Sequence, residues 1–129
     1  MNDPKLLERI RELIEELCSE NETFPIIVEG KNDEAALRQL GASGEIFRLN
    51  IGLSILNFCE EVARKHDEVI ILPDWDEKGK VLFKKLKINF QITGVKTNKK
   101  FWRTFKRFCS KEVHEVEHLN KFIKIFSIF

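Results

Sequence analysis

Pro25-Ile26-Ile27-Val28-Glu29-Gly30-Lys31-Asn32-Asp33 is a short apolar run that stops at a carboxylate. Val69-Ile70-Ile71-Leu72-Pro73-Asp74-Trp75-Asp76-Glu77-Lys78-Gly79 repeats the pattern. Each run reads as a buried parallel strand that delivers an acid to the rim of a sheet. Open α/β sheets bind their ligands at that rim, beyond the carboxyl ends of the strands. Two such strands would bring three carboxylates, Glu29, Asp74 and Asp76, together around a divalent metal.

The flanking sequence supplies the helices such a sheet needs. Asp3 is placed to cap a helix that opens on Pro4, and Leu6, Leu7, Ile10, Leu13, Ile14, Leu17 and Cys18 recur at helical spacing. The helix is expected over 3–19 and the first strand over 24–28. Asn32 or Asp33 is read as the cap of a second helix ending near Leu40, with Gly41 as its stop. A second strand is expected over 45–49. A helix follows over 53–65, with Leu53, Leu56, Val62 and Ala63 inward. The third strand is expected over 68–72, then a helix over 77–87 with Val81, Leu82 and Leu86 inward, then a weaker strand over 89–93. Helix, then strand and helix repeated, predicts an α/β fold, a parallel sheet of about four strands flanked by helices. Beyond Gly94, residues 98–109 form a helical pattern with Phe101, Phe105 and Phe108 on one face, and 120–129 lean to helix.

A chain of 129 residues corresponds to one domain. The charge is unevenly distributed. Met1–Glu22 holds seven acids and three bases, whereas Lys96–Lys111 holds seven bases and no acid. Two interpretations stand for the basic stretch: a side that faces nucleic acid, and a solvated helix. Cys18, Cys59 and Cys109 are far apart and form no Cys-x-x-Cys pair, which argues against a disulfide framework or a thiolate zinc site. The N-terminus lacks a signal-peptide pattern and no apolar run approaches membrane-spanning length, so a cytoplasmic protein without a membrane partner is expected.

The rim acids suit magnesium, a hard cation usually held by one or two carboxylates, water and substrate phosphate oxygens. Glu29 would complete the site or act beside it as general acid/base. Gly30 would let the backbone approach a phosphate, and Lys31 would neutralise it.

Glu-Gly-Lys-x-Asp after one apolar strand and Asp-x-Asp-x-x-Gly after a later one resemble the Toprim domain. That domain is shared by type IA and type II topoisomerases, bacterial-type primases, certain nucleases and recombination proteins. The likeness continues through Ala35-Ala36-Leu37-Arg38-Gln39-Leu40-Gly41, Leu49-Asn50 and Val116-Glu117-His118-Leu119, about residues 24–119. It is nearest to small stand-alone archaeal-type proteins and to the Toprim part of ribosomal-RNA maturation nucleases. The resemblance implies a compact Rossmann-like fold over a single domain, 1–129, with an N-terminal helix and a basic C-terminal extension from residue 98. It implies Glu29 as general acid/base or metal ligand, Asp74 and Asp76 as ligands of Mg2+ (with Mn2+ as a substitute), and nucleic acid as partner. Asp33 is the candidate for a further metal acid, or it simply caps a helix. Trp75 stands where many members carry a small residue or proline. Topoisomerases also need a tyrosine nucleophile, and this chain has no Tyr, so tyrosine-dependent strand passage is not expected of it.

His114-Glu115-Val116-Glu117-His118 matches the zinc-protease spacing His-Glu-x-x-His. No Asp, Glu, His or Cys follows His118 to act as a third protein ligand, which argues for chance spacing. Lys99, Lys100, Arg103, Lys106 and Arg107 are candidates for contact with a phosphate backbone. Trp102 would stack on an unpaired base if it were exposed. The expected activity is magnesium-dependent phosphodiester chemistry on nucleic acid, with nuclease-like cleavage favoured. The alternatives are a non-catalytic nucleic-acid-binding or adaptor module of the same fold, and primase-like nucleotidyl transfer. A protein partner is compatible with either, and the phenylalanine-rich tail (Phe122, Phe126, Phe129) suits self-association or the core.

Overall fold

The computed structural model describes residues 3–49, 52–109 and Val116. Helix α1 spans Pro4–Asn21, and Asp3 caps it by accepting from the Lys5 N–H at 3.0 Å. Its buried face is Leu7, Ile10, Leu13, Ile14 and Leu17, the spacing of one helical stripe. The helix runs two residues past Ser19, to a buried Asn21. The Asn21 amide donates to the carbonyls of Phe24 and Glu45 and accepts from the Gly44 N–H, so α1 is pinned to the start of the sheet.

Among the described residues four short strands follow: β1 (Ile26–Val28), β2 (Ile46–Arg48), β3 (Glu68–Ile71) and β4 (Lys96–Asn98). They form one sheet in the order β2-β1-β3-β4, with every neighbouring pair parallel. Ile26 lies beside Ile70 and Ile27 beside Ile71, and the Leu72 N–H extends the ladder to the Ile27 carbonyl at 2.8 Å. Every residue from Pro25 to Val28 and from Val69 to Leu72 is buried. That burial explains why the two central strands read as unbroken apolar runs: helices cover both faces. Adjacency of β1 and β3 also sets their carboxyl ends, and the acids that follow them, side by side.

Helix α2 (Lys31–Gln39) follows β1, α3 (Ile55–Ala63) follows β2, α4 (Glu77–Ile92) follows β3 and α5 (Lys100–Cys109) follows β4. Gly41, at φ 114, terminates α2 in the left-handed region that glycine tolerates. The cap of α2 is Gly30 rather than Asn32 or Asp33, and Asp33 reaches back to it from the first turn.

Other expectations fail as well. No strand forms over 89–93, because those residues extend α4 to Ile92. Ile88, Phe90 and Ile92 alternate as a strand would, but Phe83, Leu86 and Phe90, spaced three and four apart, are the residues that bury. The fourth strand is instead the polar Lys96–Asn98 at the sheet edge. Val81 and Leu56 face outward at 55% and 39% exposure, and Phe58, Cys59 and Val62 carry the inner face of α3. Cys59 and Cys109 are buried and Cys18 is half-buried. No helix among the described residues is long and apolar enough to cross a membrane.

Candidate functional site

At the carboxyl rim of β1 and β3 the chain turns, and the first residues past each strand meet. Glu29 Oε2 accepts the backbone N–H of Asp74 at 2.8 Å, across 45 residues of sequence. Asp74 Oδ1 accepts the Val116 N–H, 2.6 Å away. Asp33 is buried, with Oδ2 accepting the Gly30 N–H at 2.8 Å. Burial is the main force pushing the Asp74 carboxyl up from 3.8 to about 8. The negative charges of Asp33 and Glu29 and a side-chain hydrogen bond with Glu29 add to it, and the Val116 N–H opposes it. Three carboxylates thus crowd one point of the rim.

The third member of that crowd is Asp33. Asp76 caps α4, its Oδ1 accepting the Gly79 N–H at 2.7 Å. That leaves one Asp76 oxygen outside the cap. Among the described residues, no group of three His, Cys, Asp or Glu is arranged to hold a metal ion. Magnesium does not demand such a cage, since one or two carboxylates with water and phosphate oxygens are its usual shell. Glu29 and Asp74 offer oxygen donors alone, and among the described residues no Lys or Arg forms an ion pair with either. A divalent cation there would favour the ionised Asp74 that burial and its neighbours disfavour. The donor chemistry therefore fits a hard cation.

The platform behind the acids is built by α4 and α5. A Cβ at Gly79 would lie 1.8 Å from the Asp74 carbonyl oxygen, so the last position of Asp-x-Asp-x-x-Gly admits no side chain while α4 packs this closely. The same carbonyl accepts the Trp102 indole N–H at 3.1 Å. Trp102 is 5% exposed and stacks on Phe83 with ring centroids 3.9 Å apart. It is therefore a buried anchor for the Asp74 turn, and the exposure on which stacking with an unpaired base depended is absent. Trp75 is buried as well, stacked on Phe105 at 5.8 Å. Phe101 and Phe105 are core and Phe108 is half-buried.

The remaining candidates are dispersed. Lys31 is exposed at the first position of α2, beside Gly30, whose backbone is extended and so needs no glycine. Lys99 donates to the Thr97 carbonyl and hydroxyl, and Lys100 pairs with Glu16 of α1. The Lys106 ammonium lies 5.3 Å from the Trp102 ring centroid, and the Arg107 guanidinium 4.8 Å from that of Phe108. Arg103 and Arg107 are exposed. Lys111, the His114/His118 pair, most of 116–119, the 120–129 tail and its Phe122, Phe126 and Phe129 lie outside the described residues.

A four-stranded parallel sheet with this acid-bearing rim is what the two sequence motifs led one to expect, and the chain belongs to the Toprim domain family, whose domain matches residues 24–117. Membership points to a metal-dependent role connected with nucleic acid. More particularly, the chain is similar to archaeal UPF0292 proteins. It is 40% identical to one from Methanosarcina barkeri, over 92% of this chain and 83% of that one. It is 34% identical to one from Methanocaldococcus jannaschii, over 95% of this chain and 96% of that one. A solved protein from Aquifex aeolicus superposes with a TM-score of 0.72 at 27% identity, covering 83% of this chain and 94% of that one.

Proposed function

We propose that the protein carries out magnesium-dependent phosphodiester chemistry on nucleic acid at this rim, with cleavage of RNA or DNA as its reaction. The observation that carries the proposal is the meeting of Glu29 and Asp74 at the ends of neighbouring parallel strands, with Asp33 close enough to raise the Asp74 carboxyl further. Glu29, fixed at one oxygen by the Asp74 amide and hydrogen-bonded to the Asp74 carboxyl, would be released from that carboxyl when Asp74 ionises, take a proton from the attacking water, and return it to the leaving oxygen as the P–O bond breaks. Asp74, held at Oδ1 by the Val116 amide, presents its second oxygen as a ligand. Asp76 contributes at most the oxygen that does not cap α4. Lys31, exposed beside Gly30, meets a phosphate oxygen as a point charge. Mg2+, or Mn2+ in its place, supplies neutralisation of the phosphoryl oxygens and polarisation of the bond under attack.

A non-catalytic binding or adaptor role is the second possibility, favoured by one observation: Asp76 spends a carboxylate oxygen on the helix cap. End-labelled RNA and DNA incubated with the purified protein and Mg2+ separate the two. Cleavage that falls at least about 100-fold in Asp74→Asn supports the catalytic proposal. Cleavage unchanged in that variant rejects it. A wild-type protein that Mg2+ stabilises against heat but that cuts nothing supports the adaptor.

A further inference from the structure

Between Lys78 and Lys111 lie twelve of the chain's 22 Lys and Arg and none of its 21 Asp and Glu. This run is longer than the α5 stretch alone, and the fold gathers its described part, up to Cys109, on one side. It makes up α4 beyond its first residue, the edge strand β4 and all of α5. Two surface grooves lie there. One, of about 390 Å³, runs between α4 and α5 and includes Lys80, Lys84, Lys87 and Lys106. The other, of about 530 Å³, crosses from the end of α4 to β4 and includes Lys87, Lys96 and Lys99. Lys87 lines both, so the grooves adjoin at that residue.

The geometry of α4 turns these lysines into a row. Lys80, Lys84 and Lys87 are spaced four and three apart, so they share one face and span about 10 Å at 1.5 Å per residue. Nucleic-acid phosphates recur every 3.4 Å of duplex axis per strand, so such a row follows about three of them. Among the described residues no carboxylate pairs with Lys84, Lys87 or Lys96, and all three are exposed. Among the described residues, the one acid lining either groove is Glu77, which is solvated and paired with Lys80 at 3.0 Å. Glu77 also stands one residue from Asp76 at the head of α4, so the row leads from the sheet edge up to the rim acids.

We propose that this α4–β4–α5 groove is the track that holds the phosphodiester backbone of a nucleic-acid substrate and guides it to the rim. The assignment rests on the function proposed above for its ligand class, but its residues, Lys84, Lys87 and Lys96 foremost, lie outside the catalytic cluster. The track reads charge and not sequence, because Trp102 and Phe83, the aromatic rings along it, are buried. A competing use of the same helix comes from its apolar stripe, with Val81, Ile88 and Ile92 at 55%, 54% and 67% exposure. The density of unpaired positive charge beside that stripe favours a polyanion over an apolar partner.

The test measures binding of a fluorescein-labelled 20-nucleotide strand, and of its duplex, to the full chain in EDTA, where no metal-dependent cleavage occurs. Binding should weaken steeply with salt. The combined Lys84→Ala, Lys87→Ala and Lys96→Ala variant should bind about 10–100-fold more weakly at low salt, with its log–log salt slope reduced by about two or more. A control carrying Lys5→Ala, Arg64→Ala and Lys65→Ala, the same loss of charge elsewhere, should stay within about twofold of wild type. Equal loss in both variants, or none in the track variant, overturns the proposal. So does a dimer that Ile88→Ser dissociates while the track variant still binds the strand normally. Cleavage is assayed separately with Mg2+. A protein that binds through the track and cuts nothing refutes the catalytic proposal and leaves the track standing.

Discussion

In metal-free buffer the protein should lose stability as the pH rises from 5 to 8, and Asp74 should be the cause. Its carboxyl is held at about 8 in the folded protein against 3.8 ordinarily, first by burial and then by Asp33 and Glu29. Between those two values the unfolded chain has released a proton that the folded chain still binds. Raising the pH therefore favours unfolding, and the loss is complete once the pH passes the folded value. At about 1.4 kcal/mol per pH unit the gap corresponds to roughly 5–6 kcal/mol. Asp74 is only half-buried, and solvent screening brings the expected effect down to about 2–3 kcal/mol. For a chain of this length that is a drop of about 6–15 °C in the unfolding midpoint. Asp74→Asn keeps a side-chain oxygen for the Val116 amide but carries no charge at any pH, so the drop should shrink to what other groups contribute. Thermal melts in EDTA at pH 5, 6, 7 and 8 on both proteins decide the matter. A flat wild-type profile, or a variant that falls as steeply, would show that burial and the neighbouring acids do not hold the Asp74 carboxyl protonated. Millimolar Mg2+ should restore the wild-type midpoint at pH 8 and leave the variant nearly unmoved.

Gly79→Ala should cost more than about 3 kcal/mol in urea unfolding, because its Cβ would overlap the Asp74 carbonyl at 1.8 Å. Gly94→Ala, at φ 79 with open space around it, should cost only about 1 kcal/mol, and equal losses would disprove the close approach at Gly79. Trp102→Phe preserves the aromatic face against Phe83 but removes the indole donor to Asp74, so it should cost about 1–2 kcal/mol by denaturant titration. An unchanged midpoint would mean that this hydrogen bond contributes nothing net. Cys59 is buried, and burial pushes its thiol up to about 12, so it should resist a disulfide reagent in the native state and react at once in urea. Labelling of Cys59 within seconds in native buffer would contradict that burial.

The parts of the fold that were legible in the sequence are those where one force dominates. Residues 25–28 and 69–72 are buried on both sides, and short β-branched runs of that kind, bounded by turn residues, are what a covered parallel strand asks for. The acids that follow them inherit their place at the rim from strand geometry alone. Strand β4 was not legible, since an edge strand of Lys, Thr and Asn has no apolar signature. Ile88, Phe90 and Ile92 gave a false one, because two of the three are exposed residues of a helix. Gly30 and Asp33, three apart, hold the spacing of a helix start, yet burial of Asp33 beside Asp74 depends on the pairing of β1 with β3. The bond from Trp102 to the Asp74 carbonyl, spanning 28 residues, has no local signal at all.

The two outer strands of the sheet also govern how copies of the chain can meet. Both edges are three residues long, and each carries an exposed cation, Arg48 on β2 and Lys96 on β4. Short, charged edges give an incoming strand too few free hydrogen-bonding groups and an unfavourable electrostatic neighbour. The sheet is thereby guarded against growing sideways into aggregates, and self-association is left to the helical faces.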